Sequence, residues 1–367
     1  LWAVLVAFSY PLILTDSEAR GYSLSILCVA LCFTHLCTLL RNERVTHSAF
    51  WFGIWAAVGC CTHATFALFL APTVVWIIAN RSSSFLREQR TTLLRCGLFP
   101  PVIIGALLTI AFYSRLEIGG GPQLPYLEVA TSTLSVAFGG EPLSASSPEV
   151  SGQALFLAAF ILLVIALEMR AWTKTKDPLA SLVCIILVTP VCAVTIGQPH
   201  FILSRYFLVA LLLAYFVFAR FLSRMRAQGI IGSMKATALL GGYIIGNTSH
   251  ALQLVVRHRS HFLEIFSYIA EQSSRAPLTV GGSQDFQNGL RLRYARMVRP
   301  DTARISYQTQ MDSAREAPHF YISETVDPYE QLPETFELPN GTAYTAINRF
   351  KAPLLNGSNV VLYEKKK

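Results

Sequence analysis

Thr15-Asp-Ser-Glu-Ala-Arg-Gly-Tyr22 sets two carboxylates and a guanidinium within five residues, between two apolar runs. Residues 1–14 precede this turn and residues 22–40 follow it. The second run carries no formally charged residue. Its length suffices to cross a hydrocarbon core of about 30 Å, which takes about 20 residues of helix. Ionisable groups at such an edge either snorkel to water or belong to a site between helices. Their density in this turn points to the site.

The same grammar continues along the chain. Of 367 residues, 53% are hydrophobic and 14% charged, and the mean hydropathy is +0.44. Soluble domains carry about 25% charged residues, so the composition is that of an integral membrane protein. Apolar runs fill residues 1–256, whereas 257–367 has ordinary soluble composition. The expected architecture is an all-α polytopic membrane protein with a small exterior C-terminal α/β domain. Net charge is +8, but the basic residues fall in short loops between apolar runs and form no stripe. That pattern belongs to membrane topology and argues against nucleic acid as a partner.

The expected crossings begin with 1–14 and 21–40. The run 49–79 is too long for one crossing, and Cys60-Cys-Thr-His63 near its middle predicts a tight turn between two short helices. Further crossings are expected at 96–113, 153–169, 181–196, 206–222 and 230–255, about nine in all. Pro100-Pro101 falls in the first turns of its helix, where proline costs least. Between 114 and 152 lies a long loop with a weakly amphipathic piece at 124–138.

Arginine and lysine counts set the expected orientation. Arg41 and Arg44, the 80–95 loop, Arg170, Lys174 and Lys176, and Arg220, Arg224 and Arg226 share one side, which is cytoplasmic by the positive-inside rule. Alternation puts Asp16–Arg20, His63, the 114–152 loop, 198–205 and everything beyond 256 outside. In that exterior tail, helices are expected at 261–272 and 285–298. Strands are expected at 276–281, 304–309, 319–323, 342–350 and 358–363, the last two joined as a hairpin through an Asn-Gly turn.

The eight cysteines all lie in or beside apolar runs, show no metal-ligand spacing with histidine and argue against a disulfide-stapled exterior domain. Asn247-Thr-Ser, Asn340-Gly-Thr and Asn356-Gly-Ser match the glycosylation triplet and are read as chance matches. Leu1 falls inside an apolar run, so the sequence is read as missing its natural N-terminus.

The candidate site is the exterior edge. It gathers Asp16, Glu18, Arg20 and Tyr22 from one turn, His63 from a second, and His200, Ser204, Arg205 and Tyr206 from a third. A guanidinium here suits a lipid-linked phosphate, because it stays charged and binds phosphate oxygens in a fork. A nearby carboxylate can orient that arginine, coordinate a divalent metal or act as a general base. His63 suits a base or a ligand. The competing readings are plain ones: interfacial arginine and tyrosine anchor helices, and a lone histidine at a helix end is commonly a hydrogen-bonded structural residue.

Three segments carry a resemblance. Ser17-Glu-Ala-Arg-Gly-Tyr-Ser-Leu24, opening a helix that ends in Leu39-Leu-Arg41, resembles the Glu-Ala-Arg-x-Tyr-x-Leu segment of the bacterial relatives of dolichyl-phosphate-mannose protein mannosyltransferases. These include the aminoarabinose lipid A transferases, which are GT-C type glycosyltransferases. Trp51 through Thr62-His63 to Ala71 is similar to that family's paired short helices with a Thr-His turn. Ser204-Arg-Tyr206 is similar to its Arg-Tyr segment, and a small exterior C-terminal domain also fits.

The resemblance implies a sugar donor linked to polyprenyl phosphate, an acceptor protein, lipid or glycan, and a place in the inner membrane. It implies substrate-binding roles for Glu18, Arg20, Tyr22, His63, Arg205 and Tyr206, with Asp16 a secondary acid at best and room for a divalent metal. The family's catalytic carboxylate lies in an exterior loop that falls upstream of Leu1, so no residue of this sequence takes that role. Two other readings stand beside it: a transporter or lipid flippase, and a non-catalytic relative that binds the lipid-linked sugar.

Overall fold

The computed structural model describes residues 1–17, 21–41, 43–80, 91–111, 115, 125–197, 203–257, 261–272, 277–325, 327, 329–351, 354–355 and 359–366. The chain divides into two compact units, one of residues 1–141 and 153–248, the other of 142–152 and 249–367. The division falls slightly before residue 256 and groups 142–152 with the C-terminal unit.

The first unit is helical. Among the described residues, four helical stretches are long and apolar enough to cross a membrane: Tyr22–Leu40, Leu93–Ala111, Pro148–Thr173 and Ser204–Arg226. Ala64–Ala79 and Pro178–Ala193 are apolar but shorter. The count of about nine crossings is therefore not reached by length and composition. Ser204–Arg226 is the central element, with 61% of its most apolar window buried against 22% for Pro148–Thr173. The peripheral helices turn residues such as Ile110, Phe156 and Ile245 outward, as lipid-facing surfaces do.

Small residues let these helices approach. A Cβ on Gly53, in helix Val45–Thr62, would lie 2.1 Å from the carbonyl oxygen of Cys96, in the π-helical turn Leu93–Leu98. Such backbone contact is what holds helices together where water supplies no hydrophobic drive.

The run 1–14, expected as one helix, is two: Trp2–Phe8 and Tyr10–Asp16, separated by an extended Ser9. Pro11 sits in the first turn of the second piece. It has no N–H and its ring clashes with the preceding turn, so it starts a new helix more easily than it continues one. In hydrocarbon the freed backbone groups need partners from the protein itself. They have them: the Tyr10 amide donates to Asn247 Oδ1 at 2.8 Å and Tyr243 donates to the Leu5 carbonyl, while the Ser9 side-chain Oγ meets the Tyr215 hydroxyl at 2.7 Å. Asn247 is fully buried, and its Nδ2 donates to the Tyr243 carbonyl at 3.0 Å. The side chain of this triplet is structural.

The second unit holds a six-stranded sheet: β1 (Leu278–Gly282), β2 (Ile305–Tyr307), β3 (Phe320–Thr325), β4 (Thr335–Glu337), β5 (Ala343–Phe350) and β6 (Asn359–Lys365). Their order is β2-β1-β3-β6-β5-β4. β1 is parallel to β2 and β3, and the remaining pairs are antiparallel, including the expected β5–β6 pair. Residues 356–358, the expected Asn-Gly turn, lie outside the described residues.

Helix Phe262–Gln272 presents Phe262, Ile265, Phe266 and Ile269 as a buried stripe, the i, i+3, i+4, i+7 pattern of an amphipathic helix. That stripe packs with Val360 and Leu362 of β6, whereas Val361 and Tyr363 join a cluster with Phe336 and Tyr344 on the other face. In the same unit Asp327 sits in a cradle of neutral donors. Ser144 Oγ reaches it at 2.9 Å, the Ser146 amide at 3.1 Å and the Tyr329 amide at 2.9 Å. Burial raises the Asp327 carboxyl, but these bonds outweigh it and hold the group below its ordinary value.

Candidate functional site

The three turns expected at one membrane edge do meet. Helix Val45–Thr62 ends where Gly59, Cys60-Cys61 and Thr62 give way to an extended His63, and the short 3-10 turn Ala64–Phe66 starts the next helix. Two contacts with Thr65 help to set the His63 side chain. Its Nδ1 accepts from the Thr65 amide at 3.1 Å and lies 2.9 Å from the Thr65 hydroxyl. The imidazole thus caps the new turn as a serine or asparagine would.

This settles the chemistry of the ring. With Nδ1 accepting a backbone N–H, the neutral imidazole carries its proton on Nε2. In that form His63 offers a hydrogen-bond donor, which suits an oxygen of a phosphate or sugar better than a proton on its way off a hydroxyl. The structural reading of His63 and a ligand-binding one are therefore compatible.

Tyr22 opens helix Tyr22–Leu40 immediately after Gly21, whose φ of 74° lies in the left-handed region that glycine enters without penalty. A Cβ on Gly21 would sit 2.8 Å from the carbonyl oxygen of Thr62. The two turns touch backbone to backbone, and this contact brings the Tyr22 and His63 rings to 4.1 Å between centroids, inclined by 39°. Arg205, in the 3-10 turn Ser204–Phe207, places its guanidinium carbon 6.0 Å from the centroid of the same Tyr22 ring, at the outer limit of a cation–π contact.

The other expected site residues fare differently. Asp16 ends helix Tyr10–Asp16 and is exposed, with its carboxylate hydrogen-bonded to Ser23 one turn into the next helix. Tyr206 packs with Val129, of helix Tyr126–Ala137, in a small apolar cluster, a role in the framework of the edge. Glu18, Arg20 and His200 lie outside the described residues. Among the described residues no group of three or more His, Cys, Asp or Glu side chains is arranged to hold a metal ion.

Sequence reasoning passed over a second polar cluster in the same unit. Glu168, read only as the tail of an apolar run, is buried, and its Oε2 lies 2.8 Å from an Arg224 terminal nitrogen. The Arg220 Nε stands 3.7 Å from its Oε1, and the Arg220 guanidinium lies 4.1 Å above the Trp172 ring. Glu168, Arg220 and Arg224 were legible as charges; their convergence was not, because 52 residues separate the first two in sequence and helix packing alone unites them. No protein-family description, no curated protein and no solved structure matches this chain.

Proposed function

We propose that this chain acts as an inverting membrane glycosyltransferase that moves a sugar from a polyprenyl-phosphate carrier to an acceptor at the edge formed by Tyr22, His63 and Arg205. The observation that carries the reading is the convergence of a guanidinium, an imidazole N–H donor and an aromatic face from three separate turns. Arg205 and the His63 Nε2–H are suited to the phosphate that departs with the lipid, since its charge grows as the anomeric bond breaks. The Tyr22 ring suits the apolar face of a sugar or an isoprene unit.

In this reading the acceptor oxygen attacks the anomeric carbon as the bond to the phosphate oxygen breaks. The acceptor proton passes to a general base, and polyprenyl phosphate leaves. Arg20 is assigned a second contact to that phosphate, Glu18 a role in orienting it and Tyr206 a wall of the groove. Ala64–Ala79, Pro178–Ala193, Val45–Thr62, Ile230–Arg257 and the broken pair Trp2–Phe8 and Tyr10–Asp16 complete about nine crossings of the inner membrane, with residues 257–367 on the exterior, periplasmic side. The acceptor is a protein, lipid or glycan.

A transporter or flippase reading draws support from the broken helix at Ser9, a feature of many transporters. There, however, the Tyr10 amide and the Leu5 carbonyl are bonded to Asn247 and Tyr243, and among the described residues no carboxylate is hydrogen-bonded to them. Glycosyl transfer is therefore the better account. The test is transfer from a synthetic polyprenyl-phosphate sugar by membranes containing the full-length protein. Arg205→Ala is expected to lower transfer about a hundredfold, as removal of a charge-stabilising donor does, and Arg205→Lys to restore part of it. Unchanged transfer in both Arg20→Ala and Arg205→Ala would sink the site assignment. Substrate flux across liposomes without transfer would favour the transporter.

A further inference from the structure

We propose that the other end of the helical unit holds a second ligand site, a cavity that takes the phosphate ester of an anionic membrane lipid. Two helices mark the distance from the first site. Tyr22 and Arg41 stand at opposite ends of Tyr22–Leu40, and Arg205 and Arg220 are about 22 Å apart along their stretch at 1.5 Å per residue. This end also carries the arginine and lysine excess read from the sequence, so the positive-inside rule places it at the anionic cytoplasmic leaflet.

The cavity encloses about 450 Å³, within the range of sites that hold small ligands. Arg41, Asp177, Trp172 and Arg220 are among its polar lining, and Trp2, Phe33 and Phe216 among its apolar lining. A neighbouring hollow shares Trp2, Phe216 and Arg220 and reaches Glu168 and Arg224. Together they present three guanidiniums against two carboxylates, which leaves one positive charge for one phosphate diester.

Asp177 is hydrogen-bonded through both oxygens, and Glu168 is ion-paired. Asp177 Oδ2 accepts from the Trp172 indole N–H at 2.8 Å and its Oδ1 from the Leu179 amide at 3.0 Å. Glu168 Oε2 lies 2.8 Å from Arg224, an ion pair without hydrogen-bond alignment. Arg220 is held differently: Trp172 covers its face, its nearest carboxylate oxygen is 3.7 Å away, and its buried Nε has no hydrogen-bond partner among the described residues. Arg41 is exposed and forms no ion pair among the described residues. A guanidinium aligned by an aromatic ring and short of an acceptor is ready for a phosphate oxygen. The apolar residues that line the same cavity suit the first methylenes of an acyl chain, which inorganic phosphate lacks.

The site stands or falls independently of glycosyl transfer. It is tested by native mass spectrometry of the detergent-solubilised full-length protein, titrated with phosphatidylglycerol, phosphatidylcholine or inorganic phosphate. The expected result is a preferentially retained phosphatidylglycerol, with retention lowered about tenfold in Arg41→Gln and in Arg220→Gln. Arg41→Gln touches no buried contact, so it keeps the test informative if Arg220→Gln fails to fold. Displacement by inorganic phosphate, with the same sensitivity to both variants, would keep the phosphate site and name the free ion as its ligand. Equal retention of phosphatidylcholine and phosphatidylglycerol without phosphate binding, or a preference unchanged in both variants, would overturn the proposal.

Discussion

Glu168 and Asp327 are both carboxylates with more than one polar group set against them, but the two grips are made of different material. Glu168, in the helical unit, faces two guanidiniums. Asp327, in the sheet-bearing unit, is held by two serine hydroxyls and two backbone amides. Where lipid replaces water, a full charge is tolerated when another full charge stands against it. Where water still reaches, aligned neutral dipoles are enough to keep a carboxylate ionised. The same residue chemistry thus leaves different marks in the two units: an ion cluster in one, a serine-rich loop in the other.

The most direct way to break this contrast is Glu168→Gln. Removing one partner of a buried ion cluster leaves like charges together, and the cost is expected near the low end of the usual range, about 3 kcal/mol, because both arginines are partly exposed. A lowered thermal midpoint in detergent is the readout. An unchanged midpoint would mean that the guanidiniums are satisfied by water and that the two grips are alike.

A smaller effect is expected from Asp327→Ala, about 1–2 kcal/mol at neutral pH, read by hydrogen exchange of the β3 and β6 amides. The Asp327 carboxyl lies below its ordinary value in the folded state. Its contribution is therefore complete above the unfolded value of about 3.9 and is lost as pH falls through the folded one. Wild type and variant should converge in acid, and a gap that persists there would show that the cradle acts by shape. Ser146→Ala removes one hydroxyl and leaves the Ser146 amide bond in place. About 0.5 kcal/mol is expected from the same exchange experiment, and a loss as large as that of Asp327→Ala would mean that this one hydroxyl dominates.

The same contrast explains what could be read without coordinates. Helix Phe262–Gln272 and the β5–β6 pair follow from local periodicity, and the break at Thr62-His63 follows from an apolar run too long for one crossing. The break at Ser9 did not show, since Tyr10-Pro11 sits in an unbroken apolar run and the acceptor that permits it, Asn247, lies 237 residues away. β4 spans three residues, too few for alternation to register, and helix Gln310–Arg315 is only six residues long.

At the candidate edge, the nearness of Tyr22, His63 and Arg205 agrees with the sequence expectation. The role of His63 Nδ1 as a cap did not show, because a histidine at that position reads alike as cap, base or ligand. Tyr206 looked like its neighbour Arg205 in the sequence, yet the short turn that carries both sends it to Val129.

The contact of Gly21 with Thr62 has a consequence for how this edge can change. The gap between the Tyr22 and His63 rings is gauged by main chain meeting main chain, a spacer that no mutation of the rings themselves alters. Side chains on either turn can be exchanged like fittings in a fixed socket, changing what is gripped while the width of the jaw stays the same. Only the glycine cannot be traded, since any side chain there forces the jaw apart.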